Sequence, residues 1–315
     1  MPLLPDLLRS PDHYLHSFDG PDAVFVRMDR GAYRRSIFLD QRIQPLSPEP
    51  LIVPLRDIGA MPEIDRVGWI FHLAHSGSTL LARALDVPDG NLVLREPLAL
   101  RQMGVAYEPA RLDIVLALLG RRYATDLPTI VKANVPVNAI LPQIAARSPS
   151  VTAIFLWCPL NDWLLAVLRS PGHRQWVRGI TQQLSGWLGD LPALDDPCLA
   201  AALWLKQMRA FEAAMTIWPE ARSLNAECFF ADPAPVMMAA AALLDVPVDA
   251  DRVARIVDGE LFASDAKRPA MKFNNEMRLA RRALLEAELK PELARAQRWL
   301  EEKGAGDLAL GRSLI

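Results

Sequence analysis

One stretch, VGWIFHLAHSGSTLLARAL at residues 67–85, sets most of what this chain can fold into. Its first part, 67–73, is apolar and rich in β-branched and aromatic residues, the composition of a buried strand. Its last part, 79–85, consists of good helix formers. Between them Ala74-His75-Ser76-Gly77-Ser78 makes a tight turn of small residues. A strand that passes through such a turn into a helix aims several free backbone N–H groups at one point, with the positive end of the helix dipole behind them. Ser78 and Thr79 add hydroxyl donors, so the turn suits a phosphate or a similar anion. A strand–turn–helix with a serine cap and no ligand would present the same few residues, and the rest of the chain has to separate the two.

At 315 residues with 51% apolar side chains, the chain can bury a large core. A net charge of −2 excludes bulk attraction to nucleic acid or to acidic membranes, so an anionic ligand must be met by local groups. Cys158, Cys198 and Cys228 are widely spaced and odd in number, without metal-ligand spacing, which fits a reducing compartment. The first residues lack the basic-then-apolar pattern of a signal peptide. No run approaches the about 18 apolar residues of a membrane span. The expectation is a soluble cytoplasmic protein with no metal, no nucleic-acid partner and no membrane. Oligomeric state is left open.

Along the chain, residues 1–20 read as a helical or irregular lead-in. Residues 23–28 and 32–39, around a turn at 29–31, read as a β-hairpin. Prolines 45, 48, 50 and 54 mark an irregular connection with a short strand at 51–53. Residues 1–60 are expected to form an N-terminal extension packed on a main domain, 61–315. In that domain, strands at 91–94, 129–132, 151–157 and 222–226 alternate with helices, as in βαβ units. The fold class is therefore α/β: a P-loop-like three-layer fold with a mostly parallel central sheet, followed by a helical C-terminal region. Ligands in such sheets gather beyond the carboxyl ends of the strands, which here carry residues 75–79, Arg95-Glu96, 132–134 and 158–161. Trp176, Trp187, Trp204 and Trp218 read as core anchors.

The motifs 74-AHSGSTLL-81, 95-REP-97, 131-VKAN-134 and 154-IFLWCPLNDWLLAVLRS-170, in this order, resemble the sulfotransferase family, and in layout its divergent bacterial branch. The resemblance implies a 3′-phosphoadenylyl sulfate (PAPS) donor and sulfuryl transfer to a hydroxyl or amine of a small-molecule acceptor. It assigns the donor's 5′ end to Ser76, Gly77, Ser78 and Thr79. Two positions depart from the family pattern. His75 stands where a lysine or arginine usually stabilises charge on the bridging oxygen, and an imidazole is only partly protonated at neutral pH. Trp157-Cys158-Pro159 replaces Arg-Asp-Pro, removing an arginine that grips the 3′-phosphate, and Leu165 or Ala166 falls where its helical serine partner belongs. Arg169, Arg174, Arg178 or the basic pair Lys267 and Arg268 would have to compensate.

Catalysis on this reading falls to His75 or Lys132, which neutralise developing charge, and to Glu96 as the base. Glu96 equally suits a plain helix-terminal carboxylate. Two alternatives stay open: a non-catalytic, sulfotransferase-like nucleotide or anion binder, and a P-loop kinase or NTPase. The second lacks the lysine of Gly-x4-Gly-Lys-[Ser/Thr].

Overall fold

The computed structural model describes residues 4–59, 61, 67–305 and 308–315. Residues 1–3 of the expected lead-in, and Ala60 at the expected domain boundary, lie outside them. Ten strands follow in chain order: β1 (His13–Asp19), β2 (Asp22–Arg27), β3 (Leu51–Pro54), β4 (Gly68–His72), β5 (Leu92–Arg95), β6 (Thr129–Lys132), β7 (Thr152–Trp157), β8 (Arg222–Asn225), β9 (Ser264–Asp265) and β10 (Arg268–Lys272).

The central sheet is five-stranded and parallel, in the order β5-β6-β4-β7-β8. From β4 the chain crosses to β5, returns to β6 beside β4, then crosses to β7 and β8 on the other side. The strand order therefore reverses around β4, and the crevice above its carboxyl end is where such sheets place a ligand. Pairing of His72 with Leu156 and of Arg95 with Lys132 brings the strand ends level. The inner strands are largely apolar runs buried on both faces, and all six residues of β7 are buried, whereas the edge strand β8 is Arg-Ser-Leu-Asn with partly buried ends. On one face Trp69 and Phe71, two residues apart as the pleat requires, stack at 5.2 Å, and Phe71 continues onto Phe155 at 5.3 Å. Trp204 and Trp218 are fully buried, whereas Trp176 and Trp187 only border the core.

The α/β class is as expected, with helices on both faces and a largely helical segment after β8. The N-terminal part differs from the sequence reading. Its antiparallel sheet is β1-β2-β3, turning at Gly20 with φ 51°, and residues 30–35 are helical. Asp29 explains the helix: its carboxylate accepts the N–H of Ala32, an N-cap in place of the expected turn. The hairpin β1-β2 packs on the helix Leu98–Val105, where Gln102 both accepts from Phe18 N–H and donates to Phe18 O. Near the C-terminus, β9 and β10 form a small hairpin, and the helix Asn275–Glu288 that follows contributes no fully buried residue. No helix among the described residues is long and apolar enough to cross a membrane.

Candidate functional site

The turn after β4 is built from within. Leu73 N–H continues the sheet to Leu156 O, and Ser76 Oγ donates back to Leu73 O at 2.7 Å. The indole N–H of Trp163 donates to Ala74 O at 2.8 Å, so the turn is pinned from the neighbouring helix Leu160–Leu168. His75 (φ 62°) and Gly77 (φ 83°) are both left-handed. For His75 that backbone costs roughly 1–2 kcal/mol. At Gly77 a side chain would be strained by the positive φ, and its Cβ would sit 2.7 Å from the Phe230 ring, which would have to shift. With Ser76 spent inside the turn, the open donors are the N–H groups of Gly77, Ser78 and Thr79, which meet no acceptor among the described residues. Thr79 Oγ1 is buried and also unpartnered.

These donors face a cavity of about 750 Å³, enclosed by the turn, the helix Leu160–Leu168, the helix Ala226–Ala231, the β9-β10 hairpin and the helix Asn275–Glu288. His75, Ser76, Gly77, Ser78, Thr79, Arg169, Lys267 and Arg268 all line it. Glu96 and Lys132 stand beside it, behind the wall, at the ends of β5 and β6. Arg174 does not reach it. Its guanidinium pairs with Glu292 at 2.9 Å and Asp196 at 3.8 Å, holding the helix Pro171–Gln183 to the helices behind it. Arg178 is likewise bound to Asp196. The two fail as ligand groups for one reason, since their face of that helix is turned to an acidic neighbour. Sequence reading did not select Arg42, Asp162, Glu227 or Arg281, which also line the cavity. They come from four separate segments, and no local spacing joins them.

Charge in the cavity is uneven. Arg169 Nε donates to His173 Nε2 at 2.9 Å, so His173 carries its proton on Nδ1 and directs it to Ser170 Oγ at 2.6 Å. Burial, and then Arg169, push the His173 pKa down to about 4. His75, whose ring lies 5.1 Å from that of His173 and edge-on to Trp176, is held well below the usual histidine range by burial, Lys267 and Arg169. The structure therefore speaks against the expected partly protonated His75: burial first, and then the charges of Lys267 and Arg169, favour its neutral form. Arg281 and Lys267 have no ion-pair or hydrogen-bond partner for their side chains among the described residues, and Arg268 has only Asp265 at 3.6 Å.

On the far wall, Arg278 grips Glu227 through two bonds of 2.8 and 2.9 Å while Arg282 reaches Asp162 at 2.9 Å. Burial raises the Asp162 pKa. Cys158, Leu165 and Ala166 complete that wall, and none supplies a cation.

Beside the cavity, Lys132 Nζ donates to Glu96 Oε1. Burial lowers the Lys132 pKa to about 8 against the opposing pull of Glu96. Burial raises that of Glu96, but Lys132 and His72 outweigh it and leave the carboxylate below its ordinary range. Glu96 takes φ 57°, a strained backbone at a strand end. His72 lies between two carbonyls, with Nδ1 2.8 Å from Leu73 O and Nε2 2.8 Å from Ala133 O. Those acceptors favour a second ring proton, while burial and the Lys132 charge oppose it and prevail, setting its pKa at about 3.

No family model and no curated protein matches the chain. Among solved structures it is similar to a sulfotransferase domain from the curacin biosynthetic pathway, at 15% identity and a TM-score of 0.40, over 79% of this chain and 100% of that domain.

Proposed function

We propose that the protein transfers a sulfuryl group from PAPS to a hydroxyl or amine of a small-molecule acceptor. The observation that carries this reading is the meeting of unsatisfied donors and cations around one cavity: Thr79 Oγ1 and the N–H groups of Gly77, Ser78 and Thr79 on one side, and on the other Lys267 and Arg281, without a partner among the described residues, with Arg169 bound only to His173 and Arg268 only to Asp265. Such a cavity calls for a ligand with several negative charges. The turn fits the 5′ end of the donor. The wall of Cys158, Asp162 and Ala166 offers no cation, so a 3′-phosphate draws on Arg169, Arg268 and Arg281 instead.

The bound donor supplies an activated sulfur–oxygen bond. The chain's own residues do the rest. The turn fixes the phosphate, the cations of the hairpin and of Arg169 offset charge as it develops, and Glu96 takes the proton of the acceptor. Lys132 keeps Glu96 ionised and oriented. Neutral His75 is left with shaping the floor beside His173 and Trp176.

Calorimetric titration with adenosine 3′,5′-bisphosphate, with AMP and ATP alongside, tests the reading. Micromolar binding that weakens at least tenfold without the 3′-phosphate is expected. Binding of ATP alone would turn the assignment to a kinase or NTPase, and absence of all binding would overturn it. Bisphosphate binding without sulfuryl transfer would leave the non-catalytic binder, which the neutral His75 favours.

A further inference from the structure

Resting on that reading and going beyond it, we propose that Lys267, carried on the β9-β10 hairpin, is the catalytic cation that the phosphate-binding turn itself lacks. The turn offers only His75, which is neutral. Lys132 is closed on Glu96 and absent from the cavity wall. Of the other cations lining the cavity, Arg42 is bound to Asp40, Arg278 to Glu227, and Arg282 to Asp162 and Glu286. Arg169 is directed to His173. Arg268 has Asp265 at 3.6 Å, which leaves Lys267 and Arg281 with free heads among the described residues.

Position separates those two. The Lys267 charge acts on His75, His72, Glu96 and Lys132, which cluster at the carboxyl ends of β4, β5 and β6. Arg281 lies on the helix Asn275–Glu288, whose side-chain ties run to Glu227 and Asp162 and, among the described residues, not to the turn or its helix. Lys267 therefore lies in the segment tied to the helix of the donor-holding turn, and it lines the same cavity as that turn. Its backbone is fixed there by two devices. Asp265 Oδ1 accepts the N–H groups of Lys267 and Arg268, each at 2.9 Å, which closes the hairpin turn. Arg83, on the helix that begins at the phosphate-binding turn, donates to Ala266 O at 2.9 Å and ties the hairpin to that helix. A lysine brought over the turn from a distant hairpin thus occupies the electrostatic role that a lysine within the turn would have.

In the step itself, the acceptor oxygen or nitrogen bonds to sulfur as the bond from sulfur to the bridging oxygen breaks. The electron pair of that bond stays on the bridging oxygen, which departs as part of adenosine 3′,5′-bisphosphate. The acceptor's proton passes to the Glu96 carboxylate. Lys267 contributes a fixed positive charge beside the bridging oxygen and transfers no proton.

Single-turnover release of sulfate from PAPS, with water as the acceptor and the protein in excess, tests the assignment without the natural acceptor. Lys267→Ala is expected to lower the saturating rate about 100-fold or more. Its affinity for adenosine 3′,5′-bisphosphate, which lacks the transferred group, should stay within about threefold, and Lys267→Arg should recover at least about tenfold of the rate. A rate loss below about tenfold, or a loss of bisphosphate affinity equal to the loss of rate, overturns the role and makes Lys267 a donor anchor at most. A wild-type protein that binds the bisphosphate but releases no sulfate removes the sulfotransferase reading and this inference with it. Wild-type release that Lys267→Ala leaves intact removes only the inference.

Discussion

The ammonium of Lys132 and the carboxylate of Glu96 close on one another across the adjacent ends of β6 and β5, with 1% and 17% of their side chains exposed. A buried pair of this kind tolerates loss of both members better than loss of one, because a single deletion strands a charge in a poorly solvated place. Lys132→Met should cost about 3–5 kcal/mol of unfolding free energy, and Lys132→Met with Glu96→Leu less than that single change. Urea unfolding of the three proteins checks the order. Glu96→Gln keeps a hydrogen-bond acceptor for Lys132 but strands its charge, so it should lose stability as a single deletion does, and in the protein that remains folded it should lower sulfuryl transfer by roughly 100-fold or more, as loss of the base requires.

Gly77→Ala should abolish nucleotide binding. The new methyl meets both an unfavourable backbone at φ 83° and the Phe230 ring at 2.7 Å, so the turn must move and its N–H groups lose their common aim. Titration with adenosine 3′,5′-bisphosphate, together with a thermal unfolding curve that shows a folded protein, reads this directly.

Acid should destabilise the protein between pH 6.5 and 3 through His72. Its folded pKa is about 3 against the ordinary 6.5, so in that window the unfolded chain holds a proton that the folded chain refuses. The stability is complete above pH 6.5 and is lost as pH falls, by a few kcal/mol at pH 4. Urea unfolding from pH 7 to 4 should show this slope, and His72→Gln should flatten it while lowering stability at pH 7.

Two arginines only five residues apart should behave oppositely. Arg169→Ala should weaken adenosine 3′,5′-bisphosphate binding by about tenfold, as loss of one charge-assisted contact does. Arg174→Ala should leave that binding unchanged and cost at most about 1 kcal/mol of stability, since it removes partly exposed ion pairs to Glu292 and Asp196.

Much of the central sheet is legible in the sequence because burial on both faces makes β4 to β7 largely apolar runs, and the sequence-read strands match β4 to β8 within a residue or so, although β8 itself is Arg-Ser-Leu-Asn. The hairpin β1-β2 is hidden for the opposite reason. A bulge between Leu15 and Ser17 breaks its alternation, while Asp29 and Gly31 mimic a turn and in fact begin a helix. The turn at residues 74–79 is legible because its chemistry is local. The cations above it are legible in part: Arg169, Lys267 and Arg268 are named from the sequence as candidates and Arg281 is not, and only the tertiary fold says which of them line the cavity. Arg174 shows the limit of spacing: it lies on the right helix and faces the wrong neighbour.

The helix Asn275–Glu288 roofs the cavity yet anchors no fully buried side chain; Arg278 and Arg282 tie it to Glu227 and Asp162. A roof fastened largely by charge, with Leu285 as a partly buried apolar contact, yields to ionic strength more readily than the sheet, because added salt screens its partly exposed ion pairs and leaves an apolar core intact. The roof should therefore loosen with salt while the sheet beneath stays unmoved, a difference that amide hydrogen exchange across a salt series would read.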